Sequence, residues 1–88
     1  MKSIEVSKQF KRDAKKHYLS LLTPEWGEVL NCLTSNAFIP EKYKDHALTG
    51  NYKGYRDCHV KPDLVLIYRT DENVVELVRL NSHSEVFK

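Results

Sequence analysis

The spacing of hydrophobic residues divides the first part of the chain into a short strand and two helices. Residues 2–6 alternate polar and apolar side chains, as a short strand does. In residues 8–21 hydrophobic side chains recur every three or four positions while lysine and arginine occupy the other faces, which predicts an amphipathic, basic helix. Thr23 and Pro24 form a typical helix start, and this second helix is predicted to run to about Asn36. Because only a few residues join the helices, we expect an antiparallel pair.

The rest of the chain is typical of β structure. Residues 37–53 show no regular period and are expected to form a long connection. Residues 54–60, 64–69 and 74–80 are rich in β-branched and aromatic side chains and are separated by short turns, which predicts a three-stranded antiparallel meander. With the N-terminal strand and the helix pair, the predicted fold is α+β with one sheet, and residues 1–88 form a single domain.

Length and composition exclude several classes of protein. With 88 residues the chain has room for one domain only. No segment approaches the roughly 20 apolar residues of a membrane span, and no apolar segment of a secretion signal follows the basic start. The two cysteines, Cys32 and Cys58, are too few for a disulfide framework or a four-cysteine zinc site. We therefore expect a reduced, cytoplasmic protein without a membrane partner.

Positive charge is concentrated in two segments, although the net charge is only +2. Residues 1–20 contain six basic and two acidic residues, and residues 41–61 contain five basic and three acidic residues. Such patches attract phosphate groups, but a charged helix face is often no more than a solvated surface. Tyrosines alternate with Lys and Arg in residues 43–56, as in surfaces that stack unpaired RNA bases. The alternative is that these tyrosines are half-buried in the sheet.

Three of the four histidines lie in the half of the chain that contains the tight turns. His46 falls in the long connection, His59 at a predicted strand end and His83 after the last strand. Histidine is the side chain best suited to proton transfer near pH 7. Residues four apart across a tight turn can come close, so we expect Asp63 to orient His59 or stabilise its charge. The alternatives are surface or structural histidines, or a metal site. Because the spacing matches no standard zinc pattern, we expect neither a metal nor another cofactor.

Three motifs in the second half of the chain carry a resemblance to a known family. They are D-H-x-L-x-G over residues 45–50, G-x-R-D-x-H-x-x-P-D over residues 54–63 and S-H-x-x-x-F over residues 82–87. In this combination the chain resembles the YafQ branch of the RelE-like toxins, which are the toxin halves of bacterial toxin–antitoxin pairs. The order of the predicted elements extends the resemblance to the whole chain and implies a RelE-like fold.

The resemblance implies an endoribonuclease that enters the ribosomal A site and cleaves messenger RNA without a metal. The 2′-hydroxyl attacks the adjacent phosphorus, which leaves a 2′,3′-cyclic phosphate and a free 5′-hydroxyl. The implied catalytic residues are His46, His59, Asp63, His83 and Phe87. We expect Arg79 to stabilise charge in the transition state. The residues expected to bind RNA or the ribosome are Lys11, Arg12, Lys15, Lys16, Lys44, Lys53 and Arg56.

The resemblance also implies partners and alternatives. The expected partners are a cognate antitoxin, the ribosome and its mRNA, with operator DNA bound only through the antitoxin complex. The alternative function is a non-catalytic co-repressor partner of an antitoxin. A gyrase-poisoning toxin on the same fold is a third candidate, although that relative lacks this histidine set. The chain departs from the family pattern at Asn81, often Gly in relatives, and at Tyr52, often Trp. Because Asn tolerates left-handed backbone, we expect the turn at residue 81 to be retained.

Overall fold

A five-stranded sheet organises the protein, and the computed structural model describes all of residues 1–88. The strands are β1 (Ser3–Val6), β2 (His46–Ala47), β3 (Arg56–Lys61), β4 (Leu64–Thr70) and β5 (Val74–Asn81). The helices are α1 (Lys8–Lys16), α2 (Pro24–Thr34) and α3 (His83–Val86). The predicted α+β class, with one sheet, two helices after the first strand and a three-stranded meander, is confirmed.

The strand order β1-β5-β4-β3-β2 makes the first and last strands of the chain neighbours. β1 runs parallel to β5, with Ser3 opposite Val74, whereas the other neighbouring strands are antiparallel. A parallel pair requires a long crossover connection, which the helices and the rest of the meander supply. β1 therefore lies at one edge of the sheet, and all four of its residues are exposed.

The first helix is shorter than the hydrophobic pattern predicts. α1 ends at Lys16 rather than at residue 21, and a 3₁₀ helix, Tyr18–Leu22, follows it. At the junction the His17 N–H donates to Asp13 O (3.0 Å), and the His17 ring lies 3.0 Å from Asn81 Oδ1 on β5. This contact anchors the end of the helix to the sheet. Beyond it Tyr18, which the pattern placed on the buried face, is 60% exposed.

The second helix begins where the sequence predicts and ends slightly earlier. Thr23 Oγ1 accepts a hydrogen bond from Trp26 N (3.4 Å), so Thr23 caps the helix as expected. α2 ends at Thr34, and Asn36, the predicted end, adopts a left-handed backbone with φ of 60°. A residue in that conformation cannot continue an α-helix.

The connection predicted for residues 37–53 contains more structure than expected. It includes β2, which pairs with β3, and two 3₁₀ turns, Glu41–Tyr43 and Gly50–Tyr52. A strand of two residues has no periodicity that a sequence pattern could reveal. The one-turn helix α3 was not predicted for the same reason.

Side chains on both faces of the central strand are buried. On one face Phe10 of α1 stacks on Trp26 of α2, with ring centroids 6.2 Å apart, above a core formed by both helices and the sheet. On the other face Val65 and Ile67 of β4 are fully buried outside that core. α3 packs against β4 and β5, and its Val86 is also buried outside the helix-side core. The face opposite α1 and α2 is therefore covered near α3.

Candidate active site

Strand β3 directs two titratable side chains to the face opposite α1 and α2. Asp57 and His59 are two residues apart and share a face, whereas Cys58 between them is fully buried in the helix-side core. His83 begins α3 directly after β5, and the centroids of the His59 and His83 rings lie 6.5 Å apart. Burial raises the pKa of the Cys58 thiol, so this cysteine is not an activated nucleophile.

His46 approaches Asp57 from strand β2. The pairing of β2 with β3 places His46 opposite Asp57, and His46 Nδ1 lies 3.0 Å from Asp57 Oδ1. The same nitrogen lies 2.9 Å from the carbonyl oxygen of Lys44 with hydrogen-bond geometry. When Nδ1 carries the proton, it donates to Lys44, and Nε2 is the nitrogen left for a substrate. Asp57 Oδ1 then lies close to this nitrogen without a hydrogen bond, and the contact becomes an ion pair only when His46 is doubly protonated.

Asp57 is a buried acid that the sequence analysis did not assign to the site. Its side chain is only 3% exposed. Burial raises its pKa above the ordinary value, and positive charge on His46, His59 and His83 opposes that rise. One carboxylate therefore lies within electrostatic reach of all three predicted catalytic histidines. The sequence signal that could have identified Asp57 is that it precedes His59 by two residues in a predicted strand, which places both side chains on one face.

Aromatic rings border the histidines. The Phe87 ring lies 4.7 Å from the His83 ring between centroids, and Tyr52 meets Phe87 edge-on at 6.0 Å. Tyr52 also meets Tyr55 edge-on at 6.1 Å, and its hydroxyl donates to Val86 O (3.5 Å). Tyr52 therefore supports the end of α3 and the position of Phe87. The structure brings Phe87 to the site, as predicted.

Arg79 is held by a buried carboxylate of α1. Asp13 Oδ2 accepts hydrogen bonds from Arg79 Nε and Leu80 N, both at 2.9 Å, and Asp13 Oδ1 accepts one from Asn81 Nδ2 at 3.1 Å. Burial on its own raises the pKa of Asp13, but the hydrogen bonds from Arg79, Leu80 and Asn81 outweigh it and lower the pKa below its ordinary value. A guanidinium has five N–H donors, so Arg79 keeps donors for a phosphate.

Asn81 ends β5 without a left-handed backbone, and the chain passes from it directly into α3. Its side chain is part of the buried network. Nδ2 donates to Asp13, while Oδ1 accepts from Ser82 N (2.8 Å) and contacts His17 Nε2 (3.0 Å). Ser82 is the N-cap of α3. Asn81 therefore links α1 to the start of the helix that carries His83.

Not all of the predicted site residues have side chains in contact with the histidines. Asp63 is exposed in the β3–β4 turn and forms no hydrogen bond or ion pair, so the expected contact with His59 is absent. Arg56 pairs with Asp45 (Nη2 to Oδ2, 2.9 Å), which occupies one edge of its guanidinium. The remaining predicted RNA- or ribosome-binding residues are exposed, and they are Lys11, Arg12, Lys15, Lys16, Lys44 and Lys53.

The structure contains neither a cluster of metal-binding side chains nor a helix that could span a membrane. No group of three or more His, Cys, Asp or Glu side chains is arranged to hold a metal ion. None of the helices combines the length and apolar character needed to span a bilayer.

The chain matches known proteins over nearly its whole length. A family model described as the bacterial toxin of type II toxin–antitoxin system, YafQ, matches residues 2–88. A YafQ toxin of Haemophilus influenzae is 43% identical, over 93% of this chain and 88% of that protein. The Escherichia coli K12 protein named mRNA interferase toxin YafQ is 34% identical, over 98% of this chain and 96% of that protein.

Solved structures agree with these matches. The structure of the E. coli DinJ–YafQ complex has a TM-score of 0.82 at 34% identity, with 100% of both chains covered. A copper-bound mutant toxin from Helicobacter pylori has a TM-score of 0.89 at 35% identity, over 99% of this chain and 100% of that chain. On the family match and these identities, the chain belongs to the YafQ family of bacterial toxins of type II toxin–antitoxin systems.

Proposed function

We propose that this toxin is an endoribonuclease that cleaves mRNA in the ribosomal A site. The observation that carries the proposal is the arrangement of His46, His59 and His83 around the buried carboxylate of Asp57, with Phe87 beside His83. Histidines that face one another can act as the acid and the base of a single reaction. The E. coli relative, named an mRNA interferase, supports the same substrate class.

The proposed reaction needs two proton transfers and a cation. A base takes the proton of the 2′-hydroxyl, O2′ forms a bond to the adjacent phosphorus, and the bond from phosphorus to O5′ breaks. An acid then gives a proton to O5′, so the products are a 2′,3′-cyclic phosphate and a 5′-hydroxyl. The His59 and His83 rings are far enough apart, at 6.5 Å, for one phosphodiester to contact both.

Each remaining residue has a place in this scheme. His83 makes the proton transfer most directly tied to catalysis, and His46 and His59 supply the second transfer or bind phosphate. Arg79, oriented by Asp13, stabilises negative charge on the phosphorane. Asp63 forms no contact with His59 in the free protein, so the role left to it from the resemblance is to act in proton transfer itself.

The partners follow from the surface. The basic face of α1 binds ribosomal RNA phosphates, because its lysines and arginine are exposed and form no ion pairs. Exposed Tyr18, Leu19 and Leu22 follow that helix and offer an apolar patch to an antitoxin. The E. coli relative in complex with DinJ supports an antitoxin partner for this chain. Operator DNA is bound only through that antitoxin.

A comparison of wild type with His83→Ala tests the proposal. Primer extension on a defined mRNA in a purified translation system should show cleavage in A-site codons for the wild type only. The loss of a general acid or base should slow cleavage by about 100-fold to 10,000-fold. Ser84→Ala, at the next exposed position, is the matched control. Both variants should still bind the antitoxin.

The outcomes separate the enzyme from the non-catalytic co-repressor. Cleavage by His83→Ala at the wild-type rate contradicts the catalytic assignment. A folded wild type that binds the antitoxin but never cleaves mRNA favours the co-repressor. Inhibition of gyrase without mRNA cleavage favours the third candidate.

A further inference from the structure

A groove of about 570 Å³ opens beside His59. Lys42, Lys44 and Lys61 line it together with the exposed ring of Pro62 and the buried residue Val60. Glu25 is the single carboxylate in the lining, so the groove carries a net positive charge. Its combination of cations, apolar surface and a proposed catalytic histidine is suited to a nucleotide.

Irregular backbone on both sides shapes the groove. Lys44 adopts a left-handed conformation with φ of 52°, which is uncommon for a residue other than Gly, Asn or Asp. In this conformation its carbonyl oxygen meets His46 Nδ1, while Lys44 also lines the groove. On β3 the register shifts between His59 and Lys61. The segments that position His46 and His59 therefore also position two lysines of the groove.

The three lysines differ in availability. Lys42 Nζ pairs with Glu28 Oε1 at 3.3 Å, so its charge is already partly neutralised. Lys44 and Lys61 form no ion pair with any carboxylate. Their ammonium groups remain available for an external anion.

We propose that this groove binds the nucleotide next to the scissile phosphate of the RNA. Lys44 and Lys61 contact its phosphodiester, and the exposed ring of Pro62 packs against its sugar or base. The inference rests on the proposed endoribonuclease function and adds a substrate-binding subsite to it. It predicts that an RNA dinucleotide binds more tightly once it is extended by one nucleotide on the side that enters the groove, either 5′ or 3′.

The probes are short RNAs in which the attacking 2′-hydroxyl is replaced by hydrogen, so that they cannot be cleaved. One dinucleotide and two trinucleotides, extended on the 5′ or the 3′ side, are titrated into ¹⁵N-labelled protein. The dinucleotide reaches His59 and therefore shifts neighbouring amide signals to some extent, but one trinucleotide should shift those of Lys44 and Lys61 clearly further. If neither trinucleotide shifts these signals beyond the dinucleotide, the subsite does not exist.

Variants of the two unpaired lysines test the contacts. Lys44→Asn removes the charge but keeps a residue that tolerates left-handed backbone, and Lys61→Gln removes the charge but keeps a long polar side chain. For the trinucleotide, the slope of log Kd against log salt should fall by about 0.7 for each phosphate that the variant no longer neutralises. Lys2→Gln, a lysine just before β1 and outside the basic face of α1, is the control and should leave the slope unchanged.

The test of the groove and the test of the endoribonuclease function have distinguishable outcomes. An unchanged salt slope and Kd in the Lys44→Asn/Lys61→Gln double variant overturn the subsite, even when His83→Ala no longer cleaves mRNA. Preserved cleavage in His83→Ala overturns the catalytic assignment whatever the groove binds. A change in the dinucleotide affinity of the double variant also counts against the subsite, because the lysines would then act at the catalytic histidines.

Discussion

The carboxylate of Asp13 stabilises the fold from the interior, and its removal has a calculable cost. The side chain is 7% exposed and accepts hydrogen bonds from Arg79, Leu80 N and Asn81. In Asp13→Asn the charge is removed, and an amide N–H₂ faces donors that it cannot satisfy. Removal of one member of a buried ion pair typically costs about 3–5 kcal/mol. Because the Arg79 side chain is 17% exposed, we expect the lower end, about 3 kcal/mol.

Urea unfolding at pH 7 measures this cost. With a denaturant slope of about 2 kcal/mol per molar, the midpoint should fall by about 1.5 M. Asp63→Asn is the matched control, because Asp63 is exposed and makes no hydrogen bond or ion pair. A loss of stability below about 1 kcal/mol would mean that the network contributes little, in conflict with the size expected for a buried pair.

The dependence on pH supplies a second check. Hydrogen bonds lower the pKa of Asp13 in the folded protein despite its burial. A carboxyl whose pKa is lower when folded contributes stability above its unfolded pKa of about 4, and this contribution disappears as the pH falls through the folded value. The difference in stability between wild type and Asp13→Asn should therefore shrink below pH 4. A difference that stays constant from pH 7 to pH 3 refutes the electrostatic reasoning.

Three further predictions follow from the same structure. Burial raises the pKa of Asp57, so the ionised carboxylate lowers the stability of the fold above about pH 4. Asp57→Asn should therefore raise the melting temperature at pH 8 while slowing cleavage, and a lower melting temperature contradicts this. Asn81→Gly should cost about 1–3 kcal/mol in urea unfolding, because its partners in the buried network are left without hydrogen bonds, and an unchanged midpoint contradicts this. Charge reversal on the basic face of α1 should weaken ribosome binding at low salt without unfolding the toxin, and unchanged affinity contradicts this. The residues reversed are Lys11, Arg12, Lys15 and Lys16.

Local patterns predicted most of the secondary structure. The three meander strands and the start of α2 lie where periodicity, turn residues and the Thr23 cap place them. The parallel partner of β1 was not predictable, because Ser3 pairs with Val74 across almost the whole chain. The end of α1 was missed because it depends on His17 meeting Asn81, again a contact between distant segments.

For the candidate site as well, local sequence signals were predictive, whereas features that depend on contacts between distant segments were missed. The motifs identified His46, His59 and His83, because their spacing within the chain carries the resemblance to YafQ toxins. Asp57 was not predicted as a site residue, because it is buried next to the two-residue strand β2, which no sequence pattern reveals. The predicted contact of Asp63 with His59 is absent because Lys61 pairs with Leu64, which leaves Asp63 in the turn, while His59 lies opposite Val65.

The parallel pairing of β1 with β5 has a consequence for biosynthesis. During synthesis β1 and α1 emerge long before β5, so β1 finds its neighbour only when residues 74–77 emerge, and Asp13 finds Arg79 later still. Contacts between segments so far apart form last, and until then the early segments lack a sheet to pack on. His83 is synthesised after all of these partners. The sheet and the active site are therefore completed only once His83 has been synthesised, and we expect a nascent chain that stops before His83 to cleave no mRNA.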